Sequence, residues 1–244
     1  CIVGALIPLI YIMKSKDCKL KFVKTKLERK PIQHAVFNGL SEFVTTVSSS
    51  IVSMFFNYQL LQLAGQDGIS SYGVLMYIQF IFIAIYIGYS IGVSPIIGYN
   101  YGAQNRSELR NIFSRSVKAV VSLGVVMLII AQCLKWLLAS IFVGYDQNLF
   151  DMTVNAFSIS SFVFLFAGFN IFTSSLFTAL NNGKISAIVS IARTLVFQIS
   201  CVLILPIFFG LNGIWLSLVV SDILSLVMSL LFVLKYKRKY YYLG

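Results

Sequence analysis

Apolar residues fall along this chain in long blocks separated by short polar breaks. The first block, Cys1–Met13, is too short to cross a bilayer. The next six are Ile32–Leu63, Ile69–Tyr99, Ile112–Phe142, Leu149–Leu180, Ile185–Phe209 and Gly213–Leu234. Each exceeds the roughly 20 residues that a helix needs to span the hydrocarbon core. Several approach 30 residues, so their ends project or tilt. None alternates polar with apolar at period two, so strands of a barrel are excluded. The pattern predicts an all-α polytopic membrane protein. Its core is a six-helix transmembrane bundle, preceded by the end of another helix.

The breaks carry turn chemistry: Ala64-Gly65-Gln66-Asp67-Gly68, Asn181-Asn182-Gly183-Lys184 and Gly210-Leu211-Asn212-Gly213. Short connections make antiparallel neighbours. Four divisions follow: 1–13 as the end of a truncated helix, 14–31 as a basic loop, 32–234 as the bundle, and 235–244 as a basic tail. The chain opens on Cys1 inside an apolar run, which reads as a fragment with its N-terminus lost.

Composition agrees with the membrane reading. Hydrophobic residues make up 58% and charged residues 11%, and mean hydropathy is +0.87. A soluble domain carries about 25% charge, so a water-soluble monomer is excluded. The net charge of +11 would suit nucleic acid if it were clustered on a soluble face. Instead every Lys and Arg except Lys135 and Arg193 falls at alternate breaks that share one side. By the positive-inside rule that side, with the C-terminus, is cytoplasmic. This places the protein in the cell (plasma) membrane and leaves no nucleic-acid partner. Four cysteines form no CxxC pair, so neither a zinc site nor a disulfide framework is expected.

Ionisable groups at bilayer depth are costly unless they are paired or face water, and so they mark function. Glu42 lies about 15 Å into its segment, Arg193 about 13 Å and Asp222 about 20 Å, at 1.5 Å per residue. All three fall near the midplane, where Arg193 could pair with either acid. Asn38, Glu42, Thr45 or Thr46, Ser49, Ser53 and Asn57 recur every three or four residues, which makes one polar helix stripe. Asn170, Thr173, Ser174 and Thr178 form a similar set. Gln79 sits between Tyr72 and Tyr86, seven residues away on either side.

Other patterns carry less. Gly88-Tyr89-Ser90-Ile91-Gly92 spells GxSxG, but inside an apolar helix and far from His34, the one histidine. It reads better as a small-residue face that lets backbones approach. Asn105-Arg106-Ser107 is a glycosylation sequon on the cytoplasmic side, where it would be unused. An intramembrane enzyme would need a nucleophile–base pair, a metal cluster or paired aspartates at one depth, and only Glu42 and Asp222 approach that.

The run Ser90–Asn105, SIGVSPIIGYNYGAQN, resembles the multidrug and toxic compound extrusion (MATE) family. There a helix ends in a P-x-x-G-x-x-x-G-A-type run before a basic loop. Asn38–Asn57 and Thr178–Arg193 look like the corresponding helices of that family's second half, in its MepA-like bacterial branch. The resemblance implies twelve helices in two lobes. Residues 1–13 would then end the sixth helix, 14–31 would be the inter-lobe loop, and the N-terminal lobe of the same chain would be missing. It implies cation-coupled export of small-molecule drugs, often cationic, by alternating access, with a proton or sodium ion as coupling ion and no other cofactor. Glu42 matches the family's acid in the seventh helix. Sodium-coupled members carry a second acid in the tenth helix, where this chain has Asn170, Thr173 and Ser174. The cation- and drug-binding set implied is Glu42, Asn38, Asn57, Gln79, Asn170, Ser174, Arg193 and Asp222. A lipid-linked oligosaccharide flippase of related architecture is the alternative. A pyrophosphate cargo would favour a cationic cavity, and two acids with one Arg do not supply it.

Overall fold

A computed structural model describes Leu6, Ile10, Tyr11, Lys14 and residues 29–242. Most of 1–13 and 14–31 lies outside the described residues. So do the side chains of Asn38, Glu42 and His34.

The described residues are almost wholly helical. Helix α1 runs Arg29–Gly102, α2 Arg106–Val143 and α3 Gln147–Ser160. A 3-10 turn, Ser161–Val163, leads into α4, Phe164–Ala179. Helix α5, Gly183–Ile191, passes through a π-helical stretch, Ala192–Phe197, into α6, Gln198–Tyr240.

Two of these runs are too long for one crossing, and each reverses at a glycine. Gly65 in α1 has φ 63° and ψ −145°. Phe56 and Tyr72 stack across it with ring centroids 5.1 Å apart. Sixteen residues of straight helix would hold them about 24 Å apart, so α1 folds into a hairpin. Gly210 in α6 has φ 55° and ψ −136°. Beyond it Gly213 packs onto the Leu205 carbonyl and lies 2.8 Å, at the Cβ position, from Pro206 Cα. The bundle therefore has six crossing segments: 29–64, 66–102, 106–143, 147–179, 183–209 and 211–240.

Elsewhere the turns end on side-chain caps. Asn105 Oδ1 accepts from Glu108 N at 3.2 Å, Asp146 Oδ1 from Asn148 N at 2.9 Å, and Asn182 Oδ1 from Ile185 N at 3.4 Å. Each satisfies a backbone donor that a helix start leaves bare. The last helix continues past Leu234 to Tyr240. Tyr241 closes it at φ 57°, its N–H donating to the Lys237 carbonyl. Lys237 and Lys239 stand in the last turn, where positive charge complements the helix dipole.

The 147–179 segment is the centre of the bundle. Of its most apolar stretch 67% is buried, against 22% for 106–143. The other helices carry exposed Ile, Leu, Phe and Val side chains; Ile129, Ile141, Ile207 and Phe208 are examples.

The 3-10 turn interrupts the central segment where Tyr86 meets it. Tyr86 is fully buried, and its hydroxyl donates to the Phe164 carbonyl at 2.8 Å. Gly168 lets the ring in: a Cβ there would lie 2.6 Å from Tyr86 Cε1 and 2.8 Å from Val120 Cγ1. Gly168→Ala is expected to destabilise the bundle by about 1–3 kcal/mol through overpacking, read as a lowered unfolding midpoint of the full-length protein in detergent.

One packing expectation fails. A Cβ at Gly88 or Gly92 would meet nothing within 4 Å among the described residues. The run packs through its serines instead. Ser94 Oγ lies 2.6 Å from Ser175 Oγ and donates to the Ser90 carbonyl at 2.9 Å. Small residues permit close approach, but spacing alone does not say which face meets a neighbour.

Candidate functional site

Asn170 is the pivot of the interior. It is fully buried on α4. Its Nδ2 donates to the Asp222 backbone carbonyl at 3.0 Å, and its Oδ1 accepts from Ser229 Oγ at 3.1 Å. One amide thus ties the central helix to two turns of α6. A buried amide satisfied on both ends fixes helix register.

Asp222 stands in this layer with only 4% of its surface exposed. Its carboxyl lies within reach of the Asn170 side chain and in the field of Arg193. Arg193 is half-buried on the π-helical stretch Ala192–Phe197. Such wide turns shift the side-chain register of the following helix and recur at functional sites. Arg193 and Asp222, placed at similar depth by the sequence, are therefore electrostatic neighbours.

Buried hydroxyls lie along the same helices. Ser217, Ser221, Ser225 and Ser229 are all buried, one per turn along α6. Thr173 lies one turn from Asn170. Among the described residues the Thr173 and Ser225 hydroxyls have no hydrogen-bond partner. A carboxylate, an amide oxygen and unpaired hydroxyls offer hard oxygen donors of the kind a proton or small cation takes.

The remaining predicted residues divide. Gln79 is buried at 6% exposure, and among the described residues its Nε2 has no partner. Ser174 joins a separate hydroxyl chain, 3.0 Å from Ser186 Oγ and 2.8 Å from Ser190 Oγ. Asn57 points away from this interior. It is exposed, as are Ser49 and Ser50 on the same arm, while Ser48, Val52 and Phe56 turn inward. Asn38 and Glu42 belong to that arm, and their side chains lie outside the described residues.

Two features escaped the sequence reading. The serine ladder of α6 was legible as a spacing of four. The other is Lys135, which the sequence sets apart only as a basic residue outside the cytoplasmic breaks. Its Nζ donates to Gln132 Oε1 at 3.2 Å and to Ser158 Oγ at 3.0 Å. Gln132 in turn donates to the Ser158 carbonyl and to Ser161 Oγ, both at 2.8 Å. This network staples the 3-10 turn. The Ser158-Ile159-Ser160-Ser161 run inside an apolar segment was its only sequence signal.

Comparisons bear on this arrangement. A family model described as MatE matches residues 42–204. The multidrug export protein MepA of Staphylococcus aureus (strain bovine RF122 / ET3-1) is 24% identical over 234 residues, which is 95% of this chain and 51% of the relative. Two solved structures share the fold. One, described as the crystal structure of MATE in complex with MaL6, superposes with a TM-score of 0.90 at 19% identity, covering 98% of this chain and 54% of that one. The other, an outward-facing conformation of a multidrug resistance MATE family transporter of the MOP superfamily, gives 0.88 at 18% identity, covering 98% and 54%. The chain spans about half the length of the curated relatives it matches.

Proposed function

The chain belongs to the MatE family, and from that footing we propose that the whole protein exports cationic and amphiphilic drugs across the plasma membrane in exchange for protons or sodium ions. This chain supplies one six-helix half. The other half stands against it, and the two rock about a central cavity to give alternating access. The basic end of the bundle, with the C-terminus, faces the cytoplasm.

The observation that carries this reading is the exposed polar stripe. Ser49, Ser50 and Asn57 lie on the surface of the 29–64 arm at membrane depth. Ser49 and Ser50 bond back to the Thr46 carbonyl, but against lipid the Asn57 amide would be left bare at a cost of about several kcal/mol, the penalty for an unsatisfied polar group in hydrocarbon. A water-filled cavity between halves removes that cost. Glu42 and Asn38 share the stripe, so Glu42 is the anionic group that meets a cationic drug. Exposed aromatics around the cavity add cation–π and apolar contacts.

The buried layer has a different task. Asp222 is closed off from any drug-sized molecule by its burial. It holds the coupling ion, with Asn170 orienting it and Arg193 opposing its charge. Gln79 and Ser174 extend polar character toward the two sides of the central helix. Drug and ion then bind in separate places and are coupled through one conformational equilibrium.

The stripe can be tested in cells that express the full-length protein and are loaded with ethidium. Glu42→Gln and Asn57→Leu are expected to slow efflux by about tenfold or more, the factor that a lost charged contact of about 1.4 kcal/mol gives, with membrane expression unchanged. Normal efflux in both variants would remove the drug site from this arm. No efflux by the folded wild type would turn the assignment toward the flippase.

A further inference from the structure

The basic end of the bundle holds a pocket that the export reading does not use. The break after α1 and the end of α6 enclose a cavity of about 370 Å³, lined by Asn100, Gln104, Asn105, Arg106, Lys239 and Tyr241 among others. That volume falls within the range of small-molecule sites, roughly 300–1,000 Å³. We infer that this pocket binds a phosphate group, presented either by the headgroup of an anionic phospholipid in the adjacent leaflet or by a soluble phosphate compound.

The chemistry is one-sided. Two cations and three amide side chains line the cavity, and among the described residues no Asp or Glu does. The nearest acid in sequence, Glu108, is engaged by Asn111, whose Nδ2 donates to it at 3.3 Å. The cavity also sits at the positive end of α2, a 38-residue helix.

The cations are held ready. The Arg106 guanidinium carbon lies over the Tyr241 ring, 3.7 Å from its centroid. Among the described residues its side chain has no hydrogen bond or ion pair, so its in-plane N–H fork is open. A stacked guanidinium offers a fixed fork that matches two phosphate oxygens. Lys239 Nζ lies 5.2 Å over the Tyr240 ring and 6.0 Å over Tyr236, likewise with no acidic partner. A loop serving topology alone needs positive charge but neither concavity nor a stacked fork.

The wall is rigid. Tyr240 is buried and its hydroxyl accepts from Asn182 Nδ2 at 2.7 Å. Tyr242 is fully buried, with its hydroxyl donating to the Val233 carbonyl at 2.8 Å. Burial, together with the neighbouring Tyr240, holds the Tyr242 phenol above its ordinary range, so it stays neutral. The pocket is lined in part by Tyr101, an exposed aromatic of the kind that stands at headgroup level. Basic pockets at that level suit lipid headgroups.

The test uses the full-length protein. Inorganic phosphate is titrated by calorimetry at constant ionic strength. In parallel, vesicles of phosphatidylglycerol are compared with vesicles of phosphatidylcholine for lipid retained through purification. Binding of at least one probe is expected, weakened about tenfold or more in Arg106→Gln. Lys239→Gln, at an exposed position, gives a second reading should the first variant fail to fold. Retention of phosphatidylglycerol without phosphate binding identifies a lipid headgroup. Binding of phosphate without lipid retention identifies a soluble source. No binding of either probe, or equal binding by wild type and the folded variants, would overturn the assignment.

Discussion

Asp222→Asn is expected to lower gradient-driven drug efflux on the order of 10- to 100-fold while the bundle stays folded. Coupling free energies between two ligands run about 1–3 kcal/mol, roughly 5- to 150-fold, and this variant removes the group proposed to carry one side of that coupling. Asparagine matches aspartate in shape. The Asn170 side chain reaches the Asp222 carboxyl, but its amide also donates to the backbone carbonyl of residue 222, which the substitution leaves in place. The tie between α4 and α6 therefore survives. Ser229→Ala supplies the contrast. It leaves Asn170 Oδ1 without its 3.1 Å donor, so it should lower stability by about 1–3 kcal/mol and leave coupling in place. A profile in which both variants lose stability, and neither loses coupling, would make the layer purely structural.

The second large effect lies in the backbone. Gly65→Ala and Gly210→Ala should each destabilise by about 1–3 kcal/mol. Being far apart in sequence, with no shared partner, they should act additively in the double variant. The cause is conformational alone. Both glycines adopt positive φ with ψ near −140° (63°, −145° and 55°, −136°), a region that L side chains rarely enter. A Cβ at either position meets nothing within 4 Å. Gly88→Ala is the control. It too has open space, but its φ is not in the positive range, so its effect should stay within about 0.5 kcal/mol. Unfolding midpoints of the purified full-length variants decide the matter, and equal midpoints for Gly65→Ala and Gly88→Ala would refute the account of the hairpins.

Those glycines also show what was legible. Ala64–Gly68 and Gly210–Gly213 read as turns, and each does reverse the chain. The reversal needs a single residue, however, so helix resumes at once on both sides. The six crossings were legible because apolar length is set by bilayer thickness. The breaks inside segments were not. Neither Ser161–Val163 nor Ala192–Phe197 contains Gly or Pro. The first is met by a tertiary bond, Tyr86 to the Phe164 carbonyl, that no local pattern announces. Lys235–Lys239 reads as a solvated tail by charge, yet it is helical because the macrodipole and the packing of Tyr236 and Tyr240 favour it.

The candidate site was legible by depth and less so by direction. Ionisable residues near the midplane pointed to Arg193 and Asp222, which prove to be neighbours. The same reasoning gave one polar set without saying that Asn170 and Asp222 face inward while Asn57 faces outward. A stripe fixes a helix face, and only packing decides what that face meets. The serine ladder of α6 was missed because serine scarcely lowers the hydropathy of an apolar run.

The central claim is ion-driven drug export, and the most direct measurement is ethidium efflux from vesicles reconstituted with the full-length wild-type protein. An inward proton gradient and an inward sodium gradient are imposed separately. Efflux that depends on one of these gradients and ceases when it is dissipated is the expected result, and the effective gradient names the coupling ion. Folded protein that moves no ethidium under either gradient, or moves it equally well with none, would contradict the account.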